Sequence, residues 1–140
     1  MAGLWELQQA VIAQLKADAA VVALVGGAEN PRIYDAPQRD PAFPFIGLAE
    51  DSLDEAGSVD GIAYSGTIRV GCVDRGNTTG RENAKKINDA VIAALDRQDF
   101  TVEGHKLVYC LLQNTQTLPG DYDETEWIGV VSFNVYLNKN

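Results

Sequence analysis

Residues 126 to 137 read EWIGVVSFNVYL. Trp127, Gly129, Val131, Phe133, Val135 and Leu137 fall on one parity, and Ile128, Val130 and Tyr136 on the other. Successive side chains of a strand point to opposite faces, so apolar residues on both parities predict a strand with both faces covered over part of its length. Such a strand belongs in the middle of a sheet, and the rest of the chain must supply its neighbours and its cover.

The neighbours are visible on either side. Leu107 to Gln116 reads as a strand that precedes it across an acidic turn. Tyr64 to Val73 alternates Tyr64, Gly66, Ile68, Val70 and Cys72 with Ser65, Thr67, Arg69 and Gly71, and Phe45 to Leu48 is a shorter apolar run. Arg32 to Tyr34 is a short extended piece. The cover comes from two stretches of helical spacing. Leu4, Leu7, Val11, Ile12 and Leu15 form one stripe; Ala84, Ile87, Val91, Ala94 and Leu95 form another, with Lys85, Asn88, Asp89 and Asp96 expected to face water and the helix to run to about Arg97. Asp18 is positioned to cap a second short helix through Val25, which Gly26 and Gly27 stop. Thr79 followed by Glu82 fits a reciprocal capping pair at the start of the later helix. The order of helix, short helix, strands, helix, strands predicts an α+β fold, a largely antiparallel sheet packed by two main helices, in a single domain spanning residues 1–140.

Between the helical N-terminus and the sheet lies APQRDPAFPFIGLAED, residues 36 to 51. Pro37, Pro41 and Pro44 stiffen this crossing, and Pro44 can begin an edge strand because no ladder bond is lost there. Glu50 and Asp51 then open an acidic, glycine-dotted segment to Ala63, expected to be a loop or arm aimed outward. It joins its flanking strands into an extended hairpin.

Composition narrows the chemistry. With 11 Lys+Arg against 20 Asp+Glu, the formal charge of −9 opposes binding along nucleic-acid phosphates. No window has the roughly 18 apolar residues of a membrane span, and the start MAGLWELQQ lacks the basic and apolar parts of a signal peptide, so a soluble chain made in a cytosol is expected, with no membrane partner. Cys72 and Cys110, the 2 cysteines, suit buried free thiols rather than a disulfide framework or a zinc site.

Motifs for catalysis or metal binding are not met. In GNTTGREN, Gly76 stands four residues before Gly80 where a phosphate loop needs five, and Arg81 with Glu82 replaces Lys and a hydroxyl. DYDETE gathers Asp121, Asp123, Glu124 and Glu126, but a calcium loop beginning there would need Gly and Glu where Glu126 and Ser132 stand; it reads as a solvated turn. His105, the single histidine, sits in the polar turn EGHKL, and both cysteines lie in predicted strands, so no Cys and His pair is expected. Paired carboxylates for glycoside hydrolysis have no positive support. The expectation is no enzyme, no cofactor and no metal.

The succession LxxAVIAxLKAD, VxALVGG, RIYDAPQ, PFIGL, a Tyr64 to Val73 strand, AxxINDAVIAAL and WIGVVSFNVYL resembles the small tail terminator, or tail completion, proteins of long-tailed bacteriophages and related gene transfer agents. It departs from them before the later helix, where such proteins often carry Trp and Ser and this chain has GCVDRGNTTG. The resemblance implies a non-enzymatic virion protein that forms a homo-hexamer ring on the tail tube and ends tube polymerisation. Its partners would be the major tail tube protein and a head completion or stopper protein, with double-stranded DNA passing through an acidic channel without specific binding. It would act at the head–tail junction of the virion, after assembly in the host cytoplasm. The alternatives are a head-to-tail adaptor or stopper and, more remotely, a small metal-dependent hydrolase. On this reading Leu53, Val59, Ile62, Tyr64, Pro119, Tyr122 and Trp127 are candidates for subunit or partner contact, because isolated apolar residues in loops suit that use. Each could instead pack under a loop of its own subunit, and Trp127 in the core.

Overall fold

The computed structural model describes residues 3–36, 39, 41–57, 61–76, 79–120 and 125–140. Its elements are α1 (Leu4–Ala17), α2 (Ala19–Leu24), β1 (Ile33–Tyr34), β2 (Phe45–Leu48), β3 (Ser52–Glu55), β4 (Ala63–Arg75), α3 (Gly80–Leu95), β5 (His105–Pro119) and β6 (Glu126–Lys139). The 6-stranded sheet has the order β1-β2-β4-β6-β5, with β3 also on β4. All strand pairs are antiparallel except β1 with β2. β6 lies between β4 and β5, as its apolar content requires, and the expected α+β arrangement holds.

The predicted stripes form the interior. Leu7, Val11 and Leu15 of α1 and Ala84, Ile87, Val91, Ala94 and Leu95 of α3 join Ile46, Val70, Val131, Phe133, Val135 and Leu137 in one buried cluster. Burying a side chain of this size contributes about 1.5 to 3 kcal/mol, so any one of these leucines cut to alanine would strain the fold. α3 lies across β4, β5 and β6, with α1 and α2 packed beside it. The side-chain amide of Gln14 in α1 donates to the Ala94 carbonyl at 3.1 Å, fixing α1 against the end of α3. Asp18 caps α2 as predicted, accepting from the Val21 N–H at 3.0 Å. Gly26 and Gly27, at φ 110° and 95°, turn the chain out of it.

Several local expectations are corrected. Thr79 makes no side-chain cap bond, because its own backbone is already helical (φ −113°, ψ −15°) where a capping residue is extended. α3 ends at Leu95, and Asp96, extended at ψ 122°, turns its carboxylate to the Leu112 N–H at 2.8 Å instead of to water. Asn88 is 3% exposed; it stands four residues after Ala84 and three before Val91, and so lies on the buried stripe. Pro44 does not begin an edge strand: it precedes β2, which lies between β1 and β4, and its carbonyl accepts from Arg32 Nε at 2.7 Å. Pro37 is outside the described residues.

The acidic arm is the largest correction. Ser52–Glu55 is a strand, paired Ser52 to Thr67 through Glu55 to Tyr64, along the same edge of β4 that β2 occupies further on. The hairpin is real, but it folds back on the sheet because Leu53 has core to pack against. Gly66 makes the approach possible: a Cβ there would lie 2.7 Å from the Ser52 carbonyl carbon and 2.9 Å from Leu53 Cα.

Helices cover one face of this sheet. The register assigns Phe45, Val73, Ile128 and Leu118 to a row on the opposite face, then Gly47, Gly71, Val130 and Gln116, then Arg69, Ser132 and Asn114. Further rows are Thr67, Asn134 and Leu111, and Ser65, Tyr136 and Tyr109. No described helix lies on them, so Ile128, Val130 and Tyr136 are half-buried by strand neighbours rather than covered as the sequence suggested.

Candidate functional site

The candidate contact residues fall at two ends of the sheet. Ile62 is 44% exposed beside the β3–β4 turn, Tyr64 starts the long run of β4 with its ring 6.2 Å from that of His105, and Leu53 is half-buried against the core. Pro119 and Trp127 are paired with each other at the opposite end. Tyr64 and the β4 partner of Trp127, Asp74, are ten residues apart, roughly 33 Å along a strand. Trp127 also packs on the core, and the Arg81 guanidinium lies 4.0 Å above its ring. Val59 and Tyr122 are outside the described residues, as are Asp121, Asp123 and Glu124.

The sequence missed other exposed apolar side chains. Trp5 is 54% exposed on the outer side of α1, one position out of phase with the Leu4 and Leu7 stripe. Val108 is 49% exposed because β5 has a register shift between Leu107 and Tyr109, which removes Val108 from the alternation. Tyr109 and Tyr136 stand together on the uncovered face, ring centroids 5.7 Å apart.

That face carries paired charge. Arg69 is 3.9 Å from a Glu50 carboxylate oxygen, and Arg75 is 3.3 Å from one on Glu126, itself nearly buried where β6 begins. Two hollows mark the face. One is bounded by Glu50, Arg69, Asn114, Gln116, Val130 and Ser132, the other by Asp54, Ser65, Thr67, Tyr109, Leu111 and Asn134. Asp51, at the break between β2 and β3, has its carboxyl held above the ordinary range, first by burial and against a backbone hydrogen bond.

Polar groups inside the fold tie its layers together. Asn88 donates to Thr115 Oγ1 at 3.3 Å and to the Gln116 carbonyl at 3.1 Å, while Cys72 Sγ lies 3.6 Å from Asn88 Oδ1. Gly129 leaves room for this cluster, since a Cβ there would meet Cys72 Sγ at 2.7 Å. Asp74 is buried and accepts from Asn83 Nδ2 and from the Arg75 N–H, both at 2.8 Å. Both cysteines are free and buried, and burial is the main cause that pushes each thiol up to about 12. A protonated thiol is a poor nucleophile.

His105 is the first residue of β5, its ring packed under Gly3, with Nδ1 2.9 Å from the Glu103 carbonyl. The carbonyl selects the Nδ1–H tautomer, and among the described residues the buried Nε2 has no hydrogen-bond partner. Cys110 lies five residues along β5, roughly 16 Å away, and Cys72 is further still toward the other end, so neither thiol meets the imidazole. Among the described residues no group of three or more His, Cys, Asp or Glu is arranged to hold a metal, and no helix is long and apolar enough to cross a membrane.

Among the described residues the arrangement offers surfaces, ends and edges rather than a cleft with convergent chemistry. The family model described as "Tail completion protein gp17" matches residues 9–137. The chain belongs to this tail completion family. The match takes in α1 from Gln9 onward, the whole of α2, α3 and β1 to β5 and nearly all of β6, and every candidate contact residue, while the exposed Trp5 lies outside it. In fold, this family member is similar to a chain of the solved "Virion of native gene transfer agent (GTA) particle". The two are 23% identical, with 94% of each chain covered and a TM-score of 0.82. A comparison with curated proteins finds no match.

Proposed function

We propose that this protein is a ring-forming tail terminator that acts as one domain over residues 1–140. As a homo-hexamer it caps the finished tail tube, ends tube polymerisation and joins tail to head. The observation that carries the reading is the tail completion family match over residues 9–137. The fold likeness to a chain of a gene transfer agent virion supports a site of action in the virion tail, at the head–tail junction, reached from the host cytoplasm during assembly.

The geometry suggests a division of labour. With its helices outward, each subunit turns the uncovered sheet face to the channel, where the two arginines of β4 are already held by Glu50 and Glu126. Cations so neutralised give a passing duplex little phosphate contact, and the overall charge of −9 opposes it further. The ends of the sheet serve the two partners, with Leu53, Ile62 and Tyr64 at one and Pro119 and Trp127 at the other; Val59 and Tyr122 are further contact residues of this reading. One end meets the major tail tube protein and the other a head completion or stopper protein. The work is structural and needs no catalytic side chain or cofactor.

Deleting the gene from its particle-producing host and imaging lysates by electron microscopy tests this. Tails of irregular or excessive length, unattached to filled heads, are expected. Normal particles would refute the role.

A further inference from the structure

We infer that β3 of one copy adds to the free part of β5 of the next, at Asn114–Leu118, so that the sheet continues from subunit to subunit. The inference rests on the ring reading and names its subunit contact.

β5 is an outer strand of 15 residues with β6 on one side. The first half of its other side is closed: the Arg97 N–H donates to the Cys110 carbonyl at 2.7 Å, and the Leu112 N–H donates to the Asp96 carboxylate at 2.8 Å. After the register shift at Leu112/Asn114 no described segment runs beside it, and Asn88 reaches Thr115 and Gln116 from the helix side. The sequence there is Asn-Thr-Gln-Thr-Leu, without charge, and proline comes only at Pro119. Exposed edges are normally guarded by charge, proline or cover, and Asn114–Leu118 has none of these. At the other side of the sheet β3 pairs with β4 alone, and no described segment pairs with its outer side.

The two edges fit in direction, stagger and charge. β3 is antiparallel to β4, and β5 runs parallel to β4 because both are antiparallel to β6. Copies related by rotation about an axis to which the strands are tilted would therefore join β3 to β5 antiparallel, as in most of the sheet. β3 lies opposite Tyr64–Thr67 of β4, whereas Asn114–Leu118 lies opposite Ser132–Ile128 of β6 and so level with Arg69–Val73. The offset is five to six residues, roughly 18 Å, across a four-strand repeat roughly 19 Å wide, which corresponds to a tilt of about 43°. Sheets that close on themselves have strand tilts of about 35 to 45°. Because the edges are opposite sides of one subunit, the contact is head to tail, the kind that builds a ring when the rotation between copies closes.

Charge favours the same pairing. A groove under Thr115–Thr117 is lined by Arg81, Lys85 and Asp89, and neither cation has an acid partner among the described residues. Glu55 of β3 is exposed, also without an ion pair, and its register with Tyr64 puts it on the helix side of the sheet, where this groove lies.

The test is disulfide trapping in the full chain, read beside its solution mass. Asp54 and Gln116 share the uncovered face and lie near the middles of the two edges, so Asp54→Cys is combined with Gln116→Cys and, to allow a shifted register, with Asn114→Cys or Leu118→Cys. Mild oxidation should give a ladder of cross-linked chains on a non-reducing gel for at least one pair. Asp54→Cys with Lys106→Cys, on the closed half of β5, should give none. In parallel, Glu55→Lys and Lys85→Glu should each lower the multimeric fraction severalfold, with the double variant recovering it. Light scattering that finds a multimer while no pair on the free half cross-links overturns the edge contact and leaves the ring reading standing. A chain that stays monomeric at all concentrations and also fails to bind tube ends overturns the ring reading and this contact with it.

Discussion

Replacing Gly66 with alanine tests the correction made to the acidic arm. The new Cβ would sit 2.7 Å from the Ser52 carbonyl carbon and 2.9 Å from Leu53 Cα, both of them backbone, so no side-chain rotation relieves the clash. Either β4 shifts or β3 leaves it. Forcing a methyl into a packed site costs about 1 to 3 kcal/mol, and partial exposure of Leu53 adds about 1 kcal/mol. A loss of about 2 to 4 kcal/mol overall lowers Tm by about 6 to 16 °C in a chain of this size. Thermal unfolding followed by circular dichroism reads the shift. Hydrogen exchange should show lost protection in Ser52–Glu55 with the β5–β6 ladder intact. Gly71→Ala is the internal control: its Cβ meets the Gly47 and Gly129 carbonyl oxygens at 3.6 and 3.7 Å, ordinary contacts, and its Tm should change little. A Gly66→Ala protein that melts within about 2 °C of the parent, with Ser52–Glu55 still protected, would refute the reasoning.

Other predictions concern the interior and the response to pH. Asn88→Ala removes the donor to Thr115 and Gln116 and should cost about 1 to 3 kcal/mol in a denaturant titration, with exchange quickened first at Thr115–Thr117. Native protein at pH 8 should leave Cys72 and Cys110 unmodified by a thiol reagent for hours, because with each thiol pushed up to about 12 the thiolate fraction is about one in ten thousand; two thiols should react on unfolding. Asp51 binds its proton more tightly folded than unfolded, so its contribution is present below the ordinary carboxylate range and is lost as pH rises through its raised folded value. Asp51→Asn should therefore raise Tm at pH 7 and leave it nearly unchanged at pH 3, and equal shifts at both pH values would contradict this.

The hairpin prediction shows where sequence and structure part. Leu53 stands alone among Ser52, Asp54 and Glu55, too little alternation to mark a strand, and only the presence of β4 and the missing side chain at Gly66 give it a place. The chemistry of Asn88 points to water although its spacing puts it on the apolar stripe, and a polar residue there is tolerated only when partners such as Thr115 and Gln116 arrive from another element. Of the contact candidates, Ile62 and Pro119 are exposed, while Leu53 and Trp127 are also used by their own subunit. Loop apolarity alone does not separate these cases.

By itself the sequence determined every element but β3, their order, the two helical stripes and the central position of β6. Those follow from local periodicity, and periodicity is written residue by residue. The resemblance carried by the order of motifs also pointed to the family. Only the tertiary structure decided that no described helix covers one face of the sheet and that β5 is closed at Cys110 and Leu112 yet has no described neighbour on that side from Asn114 onward. These depend on which distant groups meet, and pairing between residues far apart along the chain leaves no periodic trace in either partner.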